Sequence, residues 1–290
     1  MPRRAMLPYL ALFAGVLIAS TASIMIRFAQ GMGVHSLSIA AGRLALAALI
    51  LTPLALTRAR PELRRLGRRD LLLALGAGAF LAVHFASWIS SLAYTSVASS
   101  AALVSTNPLW VGLASLLIFR ERLGWRGGLG IALTILGTAV IGLSDSGASA
   151  QPAPLLGNGL ALLGALAGSG YLLIGRSLRR RVSVLTYIWL VYSAAGVILL
   201  AVAALAGQSV LGLPAMAYLL LLGLAVGPQL IGHTSFNYAL GALSATFVAV
   251  ALLGEPVGSA ILAVLIFREA VAPLQVAGIA LLLLGILLAS

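Results

Sequence analysis

Leu117-Ile118-Phe119-Arg120-Glu121 recurs 148 residues later as Leu265-Ile266-Phe267-Arg268-Glu269. The same offset lays Asn107-Pro108 on Glu255-Pro256, Gly130-Ile131-Ala132-Leu133 on Gly278-Ile279-Ala280-Leu281, and Gly137 on Gly285. It runs back without a gap to Ser87 over Ser235, Leu92 over Leu240 and Ser96 over Ser244. An offset of 149 lays Ser20 and Arg27 on Ser169 and Arg176. Apolar sequences often match by chance, but a five-residue identity ending in Phe-Arg-Glu is hard to reach that way. The chain reads as an internal duplication, residues 1–150 forming one unit and 151–290 the other.

Composition says what solvent the duplicated unit lives in. Hydrophobic residues make up 61% of the chain, charged ones 8%, and mean hydropathy is +1.12. A soluble domain carries about 25% charged residues, so most of this surface must face lipid. The 290 residues leave room for about ten spans of about 20 residues each. Ten apolar segments can be cut at Gly, Pro, Ser and Arg clusters: 7–29, 35–56, 70–93, 96–119, 124–143, 155–178, 183–206, 214–240, 244–267 and 271–289. Each unit holds five, an odd number, so the second unit must enter the membrane in the opposite sense. The expected fold is an all-α integral membrane protein with ten transmembrane helices in two inverted five-helix repeats. Arg3 and Arg4 before an apolar run resemble a signal peptide, yet Leu7–Ile26 has full span length and no clear cleavage site follows. It reads as a retained first helix.

The charges set orientation and exclude several functions. With the N-terminus inside, fifteen of the eighteen arginines fall on inside segments, Arg58, Arg60, Arg64, Arg65, Arg68 and Arg69 among them, while outside loops hold only Arg268. Both termini are therefore expected in the cytoplasm. The net charge of +12 is then a topology signal with some attraction to anionic lipid, and no nucleic-acid partner is expected. No cysteine is present, which removes disulfides, thiolate metal sites and cysteine nucleophiles. All eighteen basic residues are arginine, which reads as GC-rich bacterial coding and a bacterial inner membrane. No His-Glu-x-x-His occurs, Ala167-Gly168-Ser169-Gly170 lacks the first glycine of an intramembrane serine-protease run, and only six residues are acidic. Neither an enzyme nor a metal or cofactor site is expected.

Polar residues inside spans are costly and so informative. His84, Ser87, Trp88 and Ser91 fall at i, i+3, i+4 and i+7, one face of the third segment. That face is either a cavity wall, Trp88 stacking on a substrate whose polar end His84 binds, or an interhelical hydrogen-bonding seam. Gln229, His233, Phe236 and Asn237 form a similar stripe in the eighth segment. Either histidine could carry a proton or sit neutral against a neighbour. Glu255, mid-span before Pro256, is a proton carrier, a ligand for a substrate ammonium, or the ion-pair partner of Arg43, the arginine deep in the second segment. Pro108 and Pro256 each free a backbone carbonyl one turn earlier and are expected hinges. Their symmetric placement brings segments four and nine together, Asn107 and Trp110 facing a cavity beside Glu255, with Tyr171 a further lining candidate. Trp189 and Tyr192 could equally face lipid. Arg120-Glu121 and Arg268-Glu269 are expected to anchor helix ends at the interface, with a latch between the halves as the other reading.

At these residues the chain resembles the drug/metabolite transporter superfamily and, within it, the EamA family. The resemblance covers the whole chain. It rests on the runs from Pro108 to Gly137 and from Pro256 to Gly285, and on Gly42-Arg43-Leu44-Ala45-Leu46-Ala47. Glu-Pro recurs at this place in the family, which points to a structural role for Glu255. The aromatic and polar residues of segments three and four resemble the aromatic-amino-acid exporter type. The resemblance implies ten helices, cytoplasmic termini, a central cavity between the halves, and gradient-driven export of small metabolites by alternating access, amino acids first and aromatic ones favoured. A passive channel-like facilitator and an exporter of drugs or other metabolites are the alternatives. No cofactor is implied. The partners are a small-molecule substrate and membrane lipid, as a monomer or a homodimer.

Overall fold

The computed structural model describes residues 3–119, 124–148, 151–239, 242–243 and 251–289. Arg120, Glu121 and Ser244 lie outside the described residues. Those described form helices and no strand. They run α1 (Arg3–Ala19), α2 (Ala22–Gly31), α3 (Ser36–Arg58), the single turn α4 (Arg60–Leu63), α5 (Arg68–Ser91), α6 (Val97–Val104), α7 (Asn107–Phe119), α8 (Trp125–Ala148), α9 (Pro154–Arg179) and α10 (Val184–Leu205). Then come α11 (Ala215–Leu224), a π-helix over Ala225–His233, α12 (Thr234–Ala239), α13 (Gly254–Phe267) and α14 (Pro273–Ala289). Eight apolar helical stretches are long enough to cross a membrane, and two shorter apolar helices, Gly254–Phe267 and Pro273–Leu288, complete ten. Polar caps start the spans where the chain turns: Ser96 accepts from the Ser99 N–H at 3.0 Å, and Ser183 from the Thr186 N–H at 3.3 Å.

Three spans that the sequence reads as unbroken are interrupted. The first breaks at Ser20–Thr21. Ser20 Oγ donates back to the Val16 carbonyl at 2.8 Å, and the Ser20 carbonyl accepts from Ser259 Oγ at 3.0 Å. Backbone freed in lipid must find a partner, and here α13 supplies it. The fourth span breaks at Ser105–Thr106, whose hydroxyls bond Ala101 and Leu103 carbonyls, both at 2.8 Å. The eighth is π-helical around Pro228; proline has no N–H to give and its ring presses on the preceding turn, so the helix widens. Pro108 and Pro256, expected as hinges inside helices, each stand in the first turn of a new helix, α7 and α13. A first-turn N–H has no intrahelical partner in any case, so proline costs little there. The breaks precede the prolines.

Packing obeys the duplication. Gly137 of α8 rests against the Gly278 carbonyl and Leu282 N–H of α14, while Gly285 of α14 rests against the Gly130 carbonyl and Thr134 N–H of α8. The 148-residue offset exchanges these two contacts, so α8 and α14 cross about a local twofold. Gly15 of α1 lies against the Gly232 carbonyl, and its counterpart Gly164 of α9 lies against the His84 carbonyl. Gly196 of α10 abuts the α3 backbone at Leu44 and Ala45, and α6 packs on α13. Without a hydrophobic drive in lipid, such backbone approach through glycine is what holds helices together.

The two ends differ. At the arginine-rich end, Arg181 Nη1 pairs with Asp70 Oδ1 at 3.0 Å. Glu62 of α4 accepts from the Ser183 N–H at 2.6 Å, from Ser183 Oγ at 2.5 Å and from Thr186 Oγ1. Burial pushes the Glu62 carboxyl up, but the Ser183 and Thr186 donors outweigh it and leave its pKa below the ordinary value. The link therefore contributes above the unfolded pKa and is lost as pH falls through the lower folded one. Glu62→Gln is expected to flatten that acid limb in thermal unfolding measured against pH in detergent. An acid limb equal to wild type would mean that the Glu62 clamp carries no stability.

At the opposite end, Arg27 Nη1 donates to the Leu92 carbonyl at 2.8 Å, and Arg27 Nη2 stands 3.8 Å from Glu269 Oε2. Glu269 also accepts the Val97 N–H at 2.9 Å. Arg268 and Glu269 were expected to anchor the interface. Arg268 is exposed in the left-handed region (φ 53°), whereas Glu269 latches the end of α13 to α2 and α6.

Candidate functional site

A buried polar and aromatic cluster sits where α3, α5, α9, α10 and the π-helix meet. His84 is buried, and its Nδ1 donates to the Gly164 carbonyl at 2.8 Å. Its ring stacks at 6.1 Å on Trp88, one turn on, and meets Phe85 edge-on at 4.8 Å. Phe85 in turn contacts the His233 ring, centroids 5.4 Å apart, and carries the Arg43 guanidinium 4.2 Å above its face. Arg43 is fully buried; its Nε donates to Gln229 Oε1 at 2.9 Å. Tyr171 and Asn237 exchange hydrogen bonds at 3.0–3.2 Å between α9 and α12, and Asn237 also donates to the His233 carbonyl at 2.9 Å. Ser87 is buried in the same α5 face.

The expected stripes of α5 and of the eighth span therefore face each other across Phe85. The ion pair expected between Arg43 and Glu255 is not formed. Glu255 lies within electrostatic reach of Arg43 but beyond ion-pair distance, partly exposed, while its carbonyl accepts from Ser20 Oγ at 3.3 Å. The physical reason is position: Gln229 on the π-helix is within hydrogen-bond distance of the guanidinium and the Glu255 carboxylate is not. Asn107 and Trp110 were expected beside Glu255, and neither bonds to it. Asn107 accepts from Ser169 Oγ at 3.1 Å through its carbonyl, and Trp110 Nε1 donates to Thr106 Oγ1 at 3.2 Å. Asn107 still borders the cluster, because Gly168 leaves room beneath both His84 Nδ1 and Asn107 Oδ1. Tyr192, left open between core and lipid, is fully buried, and Trp189 donates to Thr52 Oγ1 at 3.0 Å.

Two polar features escaped the sequence reading. Phe85, which the stripe of His84, Ser87, Trp88 and Ser91 does not include, is the surface on which Arg43 rests. Asp145, placed past the fifth segment, is buried at the arginine-poor end. It accepts from Asn158 Nδ2 at 2.7 Å and from Ser99 Oγ and Gln275 Nε2, both at 3.2 Å, with Thr95 Oγ1 at 3.4 Å. The available signal was an acid two residues beyond a span with no arginine near it in sequence. Two clefts open at the arginine-rich end, one lined by Arg60, Pro61, Arg64 and Arg65, the other reaching Glu62, Asp70 and Arg181. Among the described residues no three His, Asp or Glu side chains gather as metal ligands would.

A solved structure described as the crystal structure of a protein shares this fold at a TM-score of 0.65 and 20% identity, over 98% of this chain and 96% of that one. No curated protein matches the sequence. The model of the EamA-like transporter family matches twice, over residues 6–143 and 155–290. Two matches of one family model, on halves whose glycine contacts exchange under the repeat, leave no ambiguity about kind: the chain belongs to the EamA-like transporter family, membrane transporters of small metabolites.

Proposed function

We propose that this transporter exports amino acids, aromatic ones in preference, by alternating access across a bacterial inner membrane. Residues 1–150 and 151–290 are the two rocking units, and both termini lie in the cytoplasm. The observation that carries the reading is the buried cluster itself: His84, Trp88 and His233 surround Phe85, Gln229 holds Arg43, the Tyr171–Asn237 pair joins through the His233 carbonyl, and Ser87 is buried on the same α5 face. A membrane protein with no ligand to bind has little reason to gather costly polar groups at mid-span. Asn107 and Trp110, beside the break in the fourth span, border the same region. The interruptions at Ser20–Thr21 and Ser105–Thr106, with Pro108 and Pro256 behind the symmetric helix starts, are the points about which the units bend. Glu255 is the carboxylate through which a proton would couple.

Uptake into proteoliposomes tests this, with labelled amino acids and competing metabolites, with and without a pH gradient. Saturable uptake with counterflow is expected, falling about tenfold or more in Trp88→Ala and in His84→Ala, the change that loss of one good contact produces. Flux without counterflow would instead make the protein a passive facilitator. Glu255→Gln is expected to remove the response to the gradient. Wild-type uptake with wild-type pH dependence in that variant would exclude proton carriage by Glu255.

A further inference from the structure

Among the described residues, Arg43 is a fully buried charge with two unpartnered nitrogens. It is 0% exposed in the middle of α3. Phe85 covers one face of its guanidinium and Gln229 takes its Nε, but Nη1 and Nη2 have no acceptor among the described residues. A buried cation left so is strongly disfavoured unless something completes its shell. Its neighbours do not complete it: Glu255 lies within electrostatic reach but beyond ion-pair distance, and no side chain of the described residues bonds either Nη. Trp88 Nε1 is likewise buried without an acceptor, and the Tyr192 hydroxyl lies beside the Gln229 and Thr234 side chains. One fixed positive charge thus keeps two N–H-bearing nitrogens unmatched. The free edge of a guanidinium presents two parallel N–H groups, the geometry that two oxygens of one planar anion fill.

We propose that the Nη1–Nη2 edge of Arg43 binds the carboxylate of the transported molecule, Gln229 holding the guanidinium in plane and Phe85 stacking beneath it. The proposal rests on the amino-acid reading above and sharpens it: the common requirement of substrates is a small carboxylate. A phosphate monoester would bring a second negative charge for which Arg43 alone offers no match.

Thermal unfolding of the purified wild-type protein in detergent tests this with alanine, leucine and phenylalanine, their amides, and the matching acids that lack the amino group. The acids are expected to raise the midpoint, and each amide to need about tenfold higher concentration, as for loss of a charge-assisted hydrogen-bond pair. Arg43→Gln is expected to lose the response to the acids, and Arg43→Lys to keep part of it. Amides as effective as acids, no response to any acid, or a folded Arg43→Gln that responds like wild type would overturn the proposal. The wild-type ligand series decides even if both variants misfold. Response to the acids lacking an amino group, with none to the amino acids, would leave the carboxylate site standing and remove the amino-acid reading alone.

Discussion

Gly137→Val is expected to destabilise the protein by about 3 kcal/mol, the upper end for an overpacked contact. A Cβ at this position would stand 2.5 Å from the Leu282 nitrogen and 2.6 Å from the Gly278 carbonyl oxygen. Both obstacles are backbone of α14, so no rotamer change relieves the clash and the helices must part. Gly285→Val should cost a similar amount, because its Cβ would meet the Thr134 nitrogen at 2.5 Å and the Gly130 oxygen at 2.6 Å. The duplication makes the two substitutions the same experiment performed twice. Gly128→Ala, with nothing within 4 Å of the added carbon, is the control and should be neutral or gain up to about 1 kcal/mol from helix propensity. The check is the thermal midpoint of the three variants in detergent. Equal midpoints for Gly137→Val and Gly128→Ala would mean that α8 and α14 do not cross as described.

Asp145→Ala is expected to cost about 3 kcal/mol and to loosen the arginine-poor end. The substitution strips one carboxylate from Asn158, Ser99 and Gln275, side chains on three other helices. Each buried donor left unpaired costs about 1–3 kcal/mol; Gln275 loses least, since its Nε2 also donates to Ser96 Oγ and Ser99 Oγ at 2.7 Å. Asp145→Asn, which keeps one acceptor and the shape, should fall between. The opening can be read directly, because the chain has no cysteine of its own. A single cysteine at Ala98, 2% exposed on α6, should react slowly with a membrane-impermeant maleimide in the parent and markedly faster with Asp145→Ala. Unchanged labelling and stability would show that the network seals nothing.

The asymmetry between the ends bears on how the transporter works. The arginine-poor end is tied by the Asp145 network, by the Arg27–Glu269 contact and by the Glu269–Val97 hydrogen bond. The arginine-rich end is tied by Glu62 and Asp70 and carries the clefts. An alternating-access cycle would have to break one set while keeping the other. The Asp145 variants test one side of that exchange, and Glu62→Gln the other.

Much of this protein was decided by its sequence alone. Lipid as the solvent, the helical class, the ten segments and the inverted duplication all follow from local quantities: hydropathy, the length of an apolar run, and the identity of Leu117–Glu121 with Leu265–Glu269. So does the convergence of the α5 stripe and the eighth-span stripe, because polar side chains in lipid must turn toward protein. What the tertiary structure decided are choices among partners that are distant in sequence and equal in chemistry. Arg43 had Glu255 and Gln229 as acceptors, 212 and 186 residues away, and of the two it is Gln229, on the π-helical turn beside Pro228, that bonds it. The first and fourth spans read as continuous because serine and threonine are tolerated within helices; only the presence of α13 against Ser20 makes a break there affordable. Asp145 looked like a loop residue because nothing near it in sequence needs a carboxylate. Its donors arrive from α6, α9 and α14, and packing of helices about a local twofold is what brings them together.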